Sequence, residues 1–186
     1  MKKKLNLSNI LFVVFIVLLL VPQTGKPIQV ALHKAKLYLF SPTILAEEHQ
    51  NQITPFNYKV ATLDGSLANI KIGKGKITFL SYWATWCPPC IAEMSSIQLL
   101  YDDYKESIDF VLLTNEEPEV ITAFLEKKGY QLPVFIPQIK APELLYSTSI
   151  PTNYIIDQEG KIIIREKGAS DWNSDKVRLT LDALLE

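Results

Sequence analysis

The longest apolar run is Ile10 to Val21, twelve residues inside an uncharged stretch from Leu5 to Gly25 that follows Lys2, Lys3 and Lys4. As one helix the stretch would be about 31 Å long, close to the hydrocarbon thickness of a bilayer. It therefore predicts one N-terminal transmembrane helix. A cleaved signal peptide is the competing reading, since its apolar core has a similar length. Val21-Pro22-Gln23-Thr24-Gly25-Lys26 is a poor small-x-small cleavage site, which favours a retained anchor. Lys26, Lys34 and Lys36 follow the run, so the basic bias is small, but the short three-lysine arm puts the N-terminus inside and the remainder across the membrane.

Beyond it the apolar positions change period. Residues 28–40 read either as a basic amphipathic helix lying on lipid or as a solvated linker, and Ala46 to Gln52 as polar linker. Phe56 to Leu63 predicts a strand before the turn Asp64-Gly65, so 53–76 reads as an N-terminal hairpin or as a strand with a long return. Ile77 to Trp83, β-branched and aromatic, predicts a buried strand. A helical spacing follows through Ile91, Met94 and Tyr104, then a second buried strand at Ile108 to Thr114. Glu117-Pro118 opens a helix that stops at Gly129. Leu132 to Ile136 is extended, Ala141 to Tyr146 a short helix, and Tyr154 to Ile156 with Lys161 to Arg165 a hairpin. A last helix runs from Ser174 to Leu185, capped by Asn173 or Ser174. This alternation predicts an α/β fold, a three-layer α/β/α sandwich with an N-terminal β extension. The chain divides into a membrane or signal segment at 1–26, a connector at 27–52 and a domain at 53–186.

Composition narrows the chemistry. A hydrophobic content of 48% and a net charge of −1 fit one compact domain with an appendage, and near-neutral charge gives no reason to expect a nucleic-acid partner. Both cysteines stand in Tyr82-Trp83-Ala84-Thr85-Trp86-Cys87-Pro88-Pro89-Cys90, where the strand becomes a helix. Prolines are tolerated in a first helical turn, so Cys87 lies at the helix N-terminus and Cys90 one turn further in. The electropositive helix tip favours a thiolate, making Cys87 the exposed nucleophile and Cys90 the resolving thiol. The two prolines leave mainly the amides of Cys90 and Ile91 to face the Cys87 sulfur, so a reducing pair is expected. A zinc site would need two more ligands, and His33 and His49 lie far upstream. No metal and no cofactor is expected.

Phe79 to Met94 (FLSYWATWCPPCIAEM) resembles the active-site segment of thioredoxin-like proteins, and WATWCPPC is similar to the TlpA/ResA group of membrane-anchored thiol–disulfide oxidoreductases. Ser149 to Gly160 resembles that group's cis-proline strand and hairpin, and the likeness covers residues 53 to 186. The resemblance implies a thioredoxin-like fold in which Pro151 is cis and packs beside Cys87, while the Ile150 backbone pairs with a substrate strand. It implies an extracytoplasmic domain on the bacterial inner membrane facing the periplasm or cell exterior, protein disulfides as substrates, and an integral-membrane thiol carrier as electron donor. Clients of similar proteins include the haem-binding cysteine pair of apocytochromes c, and nothing in the sequence selects that client.

Glu93, three residues after Cys90, reads either as a relay for the proton Cys90 must lose or as a solvent-facing acid; similar proteins carry a glutamate at the matching place. Ser81 stands where thioredoxins have a buried aspartate, and Ser95 where many relatives have a helix-kinking proline, which predicts a straighter helix. Trp86 is expected to wall the site for substrate and Trp83 to be core. The rival readings are a disulfide oxidase or isomerase, and a non-enzymatic thioredoxin-fold binding module.

Overall fold

The computed structural model describes residues 7–37 and 40–186. The hydrophobic alternation after residue 55 is realised as strands β1 (Phe56–Ala61), β2 (Leu67–Ile72), β3 (Thr78–Tyr82), β4 (Asp109–Leu113), β5 (Val134–Pro137), β6 (Thr152–Ile156) and β7 (Ile162–Lys167). They form one mixed sheet in the order β2-β1-β5-β4-β3-β6-β7. β3 sits near its middle, parallel to β4 and antiparallel to β6. The expected β extension is the antiparallel hairpin β1–β2, which joins the sheet through β5.

Side chains alternate across the sheet, so Phe79, Phe110, Leu112 and Ile155 serve one core and Leu80, Val111, Leu113 and Tyr154 the other. Helices α3 (Pro88–Tyr104), α4 (Pro118–Lys128) and α5 (Asp175–Leu185) all bury their apolar stripes against the first core. The second is covered by Ala141, Leu145 and Leu45. This corrects the third layer of the expected sandwich, because Ala141 to Tyr146 forms only a turn closed by Leu145 N–H and Tyr146 N–H on the Pro142 carbonyl. One turn after a proline is too short to make a helical layer.

The termini of the helices follow local chemistry. Pro118 occupies the first turn of α4, and Gly129 ends it with φ 70°, a left-handed cap. Ser174 stands at the N-cap of α5 without a side-chain capping bond. Gly160 carries the tightest backbone approach. With φ 90°, a Cβ there would stand 2.9 Å from the Ile53 carbonyl oxygen and 3.0 Å from that of Gly73. Gly160→Ala is therefore expected to destabilise the fold by about 1–3 kcal/mol, read as a lower denaturation midpoint.

The N-terminal segment departs from its expectation. Helix α1 spans Leu7–Leu20 and a second helix, α2, spans Pro22–Leu37, with a bend at Val21. Leu5 and Asn6 of the predicted span lie outside the described residues. Pro22 supplies no amide hydrogen and crowds the preceding turn, which divides the run. No helix among the described residues is long and apolar enough to cross a membrane. α2 lies along α3 rather than free in solvent. Residues 44–52, read from sequence as mostly linker, follow β7, with Leu45 N–H bonded to Ile163 O and Ile162 N–H to Asn51 O.

Candidate active site

β3 delivers its chain into a turn whose closing bond runs from Cys87 N–H to Ala84 O at 3.2 Å. Cys87 is the N-cap of α3, with an extended backbone (φ −87°, ψ 108°) and proline in the first turn. Its Sγ accepts the Cys90 amide at 3.3 Å. The Ile91 amide bonds the Cys87 carbonyl at 3.0 Å instead, so one of the two amides expected at the sulfur is committed to the helix. Cys87 and Cys90 form a disulfide with Cα atoms 5.3 Å apart. The expected exposure of Cys87 is corrected: in this oxidised state it is 3% exposed and Cys90 0%. Trp86 turns outward at 62% exposure, whereas Trp83 is core against Phe124.

The turn is gripped by side chains from elsewhere. Glu116, just after β4, accepts the Thr85 amide on Oε2 and the Thr85 hydroxyl on Oε1, both at 2.6 Å. Thr114 Oγ1 donates to the same carboxylate at 3.3 Å. On the other side Lys26 Nζ of α2 donates to the Thr85 carbonyl at 3.1 Å. Sequence reasoning missed both residues, since a carboxylate 31 positions away carries no local signal. Glu116→Ala should cost about 1–3 kcal/mol of stability, the range for charge-assisted bonds, measurable by urea denaturation.

β6 pairs with β3 so that Thr152 faces Tyr82, which sets Pro151 across from the start of the active-site turn. The Ile150–Pro151 peptide is cis, as the resemblance implies. Thr152 Oγ1 and Ser147 Oγ both donate to Ser149 O, at 2.7 and 3.0 Å, fixing the loop before it. Ile150 is half-buried.

Glu93 is fully buried on the face of α3 that meets the sheet. Its Oε1 accepts Asn153 Nδ2 at 2.9 Å, and its Oε2 accepts the Ser170 amide and Trp172 Nε1, each at 3.2 Å. Burial pushes its pKa up to about 8, and the three donors and the nearby Glu166 modify that rise, the donors downward and Glu166 upward. The solvent-facing alternative for Glu93 is thereby excluded. A carboxyl near neutrality beside a dithiol can take and return a proton, while the dithiol can exchange with another disulfide.

Comparison with known proteins places this geometry. Thiol-disulfide oxidoreductase ResA of Bacillus thuringiensis is 34% identical over 117 residues, which cover 60% of this chain and 66% of ResA, so the match spans just under two thirds of that relative. StoA from Bacillus subtilis superposes with a TM-score of 0.50 at 25% identity, covering 62% of this chain and 90% of StoA. A thiol:disulfide interchange protein DsbE of Chlorobium tepidum gives a TM-score of 0.58 at 20% identity over 74% of this chain and 97% of that one, a likeness of fold alone. Residues 48–183 match the Redoxin family model. A helix-capping cysteine pair on a mixed sheet, opposite a cis-proline and within a match that covers most of the sequence, means that the chain belongs to the Redoxin family as a ResA-like member of the thioredoxin superfamily.

Proposed function

We propose that this protein is a thiol–disulfide oxidoreductase that reduces protein disulfides. The observation that carries the reading is the Cys87–Cys90 disulfide at the N-terminus of α3, the position where a helix tip stabilises a thiolate. In the reduced protein the Cys87 thiolate attacks one sulfur of a client disulfide. A Cys87–client bond forms and the client's other sulfur leaves as a thiolate. Cys90 then loses its proton to Glu93 and attacks Cys87 Sγ, forming the Cys87–Cys90 bond and releasing the second client thiolate. Two electrons pass to the client, and the two client thiolates take up protons, one of them from Glu93. Trp86 offers an apolar wall to the client, and Pro151 with the Ile150 backbone holds its strand.

The oxidised pair is reset by a membrane thiol–disulfide electron donor. The same proposal puts the domain outside the cytoplasm on the bacterial inner membrane, held there by the N-terminal segment. In support, Ile10 to Val17 of α1 are all exposed hydrophobic residues, and three lysines precede them. A haem-binding cysteine pair of an apocytochrome c is a client of the required chemistry. The test is reduction of insulin disulfides by the full chain with dithiothreitol as donor, together with the Cys87–Cys90 potential. Turnover and a potential near the thioredoxin value of about −270 mV support the reading. A potential near about −120 mV points to an oxidase instead, and no turnover points to a binding module.

A further inference from the structure

The environment of Glu93 contains a mismatch that its mechanism does not use. All three of its partners donate, which suits a carboxylate, yet a group that exchanges a proton must also be housed as a carboxylic acid. The acid form has a hydrogen to donate and needs an acceptor. The Ser170 amide and the Trp172 indole have none. Asn153 does: its Oδ1 is buried and without a hydrogen-bond partner among the described residues, while its Nδ2 faces Glu93. A half-turn about the terminal torsion of an asparagine exchanges these two atoms within almost the same shape.

We propose that the Asn153 side chain follows the protonation state of Glu93, presenting Nδ2 to the carboxylate and turning to present Oδ1 to the acid. The proposal rests on the reading of Glu93 as the group that takes the Cys90 proton. The second observation is Ser81, the cross-strand partner of Asn153 in the β3–β6 ladder, fully buried with a hydroxyl that is also unpartnered among the described residues. Phe79 and Ile155, two residues along each strand, both point into the core beneath α3, so Ser81 and Asn153 share that face. No bond joins the two side chains as they stand, but a hydroxyl both donates and accepts, so a small shift would let it serve either amide atom. In the orientation seen here Asn153 Oδ1 is left uncompensated, and turning it to the Glu93 acid gives it a partner. The charged group that faces Glu93 is Glu166 on β7; Cys87 and Cys90 at the start of α3 are joined in the disulfide and do not titrate in this state, and β6 and the segment leading into α5 bring the Asn153 amide, the Ser170 amide and the Trp172 indole.

Side-chain amide resonances of Asn153, followed by NMR in the oxidised full chain with the Glu93 carboxyl carbon as companion probe, test the proposal. The Asn153 signals are expected to shift with pH at the same midpoint as Glu93 and to stay flat through that range in Glu93→Gln. In Asn153→Leu the carboxylate loses a donor, which raises the Glu93 midpoint, and the acid loses its acceptor, which lowers it, so the midpoint should move by less than about one unit. Asn153 signals that ignore the Glu93 titration, or a midpoint that rises by about one unit or more in Asn153→Leu, as loss of a donor to the carboxylate alone would cause, overturn the proposal. If the leucine variant does not fold, the wild-type titration and the Glu93→Gln control decide alone. These measurements read a proton equilibrium, so they stand apart from failure of the insulin assay.

Discussion

Cys87→Ser is expected to abolish disulfide reduction, by about three orders of magnitude or more, because no other thiol caps a helix in this chain and a hydroxyl at that place stays protonated. Cys90→Ser should behave differently. It keeps the nucleophile and loses the group that releases the client, so the reaction halts at the Cys87–client bond. Incubating the variant with an oxidised client and separating the products without reductant should give a stable adduct that dithiothreitol dissolves. The wild type gives no such band under the same conditions. Loss of turnover in both variants with an adduct only in Cys90→Ser assigns attack and release to the two sulfurs. An adduct on Cys90 in the Cys87→Ser protein would reverse those roles.

The second large effect belongs to Glu93. Its folded pKa, about 8, lies above the ordinary carboxyl value of 4.5, so the native state holds a proton that the unfolded chain has already lost between those limits. The associated stability is fully present below about pH 4.5, falls as pH rises, and is gone above about pH 8, a loss on the order of 3–5 kcal/mol. Denaturation of the oxidised wild type at pH 5, 6.5 and 8 should show this decline, and Glu93→Gln should remove most of it. In the cycle, the amide of that variant cannot take the Cys90 proton, and release of the client should slow by about a hundredfold or more. A wild type equally stable at pH 5 and pH 8 would mean that Glu93 is ionised throughout.

What could be read in the sequence was the part that local chemistry determines. Cys87 as the helix cap, Pro88 in the first turn, the stop at Gly129 and the hairpin β6–β7 all depend on neighbours a few residues apart, and all are present, while the β1–β2 pair is the first of the two forms open for 53–76. Cis Pro151 could not be read from its neighbours, because an X-Pro bond has no local mark of isomer, and it came from resemblance to a known motif. The surroundings of Glu93 were invisible for another reason. Asn153, Ser170 and Trp172 stand 60, 77 and 79 positions away, and only folding of the sheet against α3 brings them to one carboxyl. Hydropathy likewise marked residues 10–21 as apolar, but not that Pro22 would divide the helix or that α2 would lie on α3.

The bond from Lys26 to Thr85 has a further consequence for reach. Lys26 lies six residues past Leu20, the last residue of α1, a rise of about 9 Å along a helix. The Lys26 side chain and the two residues from Thr85 to Cys87 add to that rise, so the end of α1 is tied within a few side-chain lengths of the active-site turn. Were α1 taken up by an apolar medium, the same bond would hold the active-site turn close to its surface.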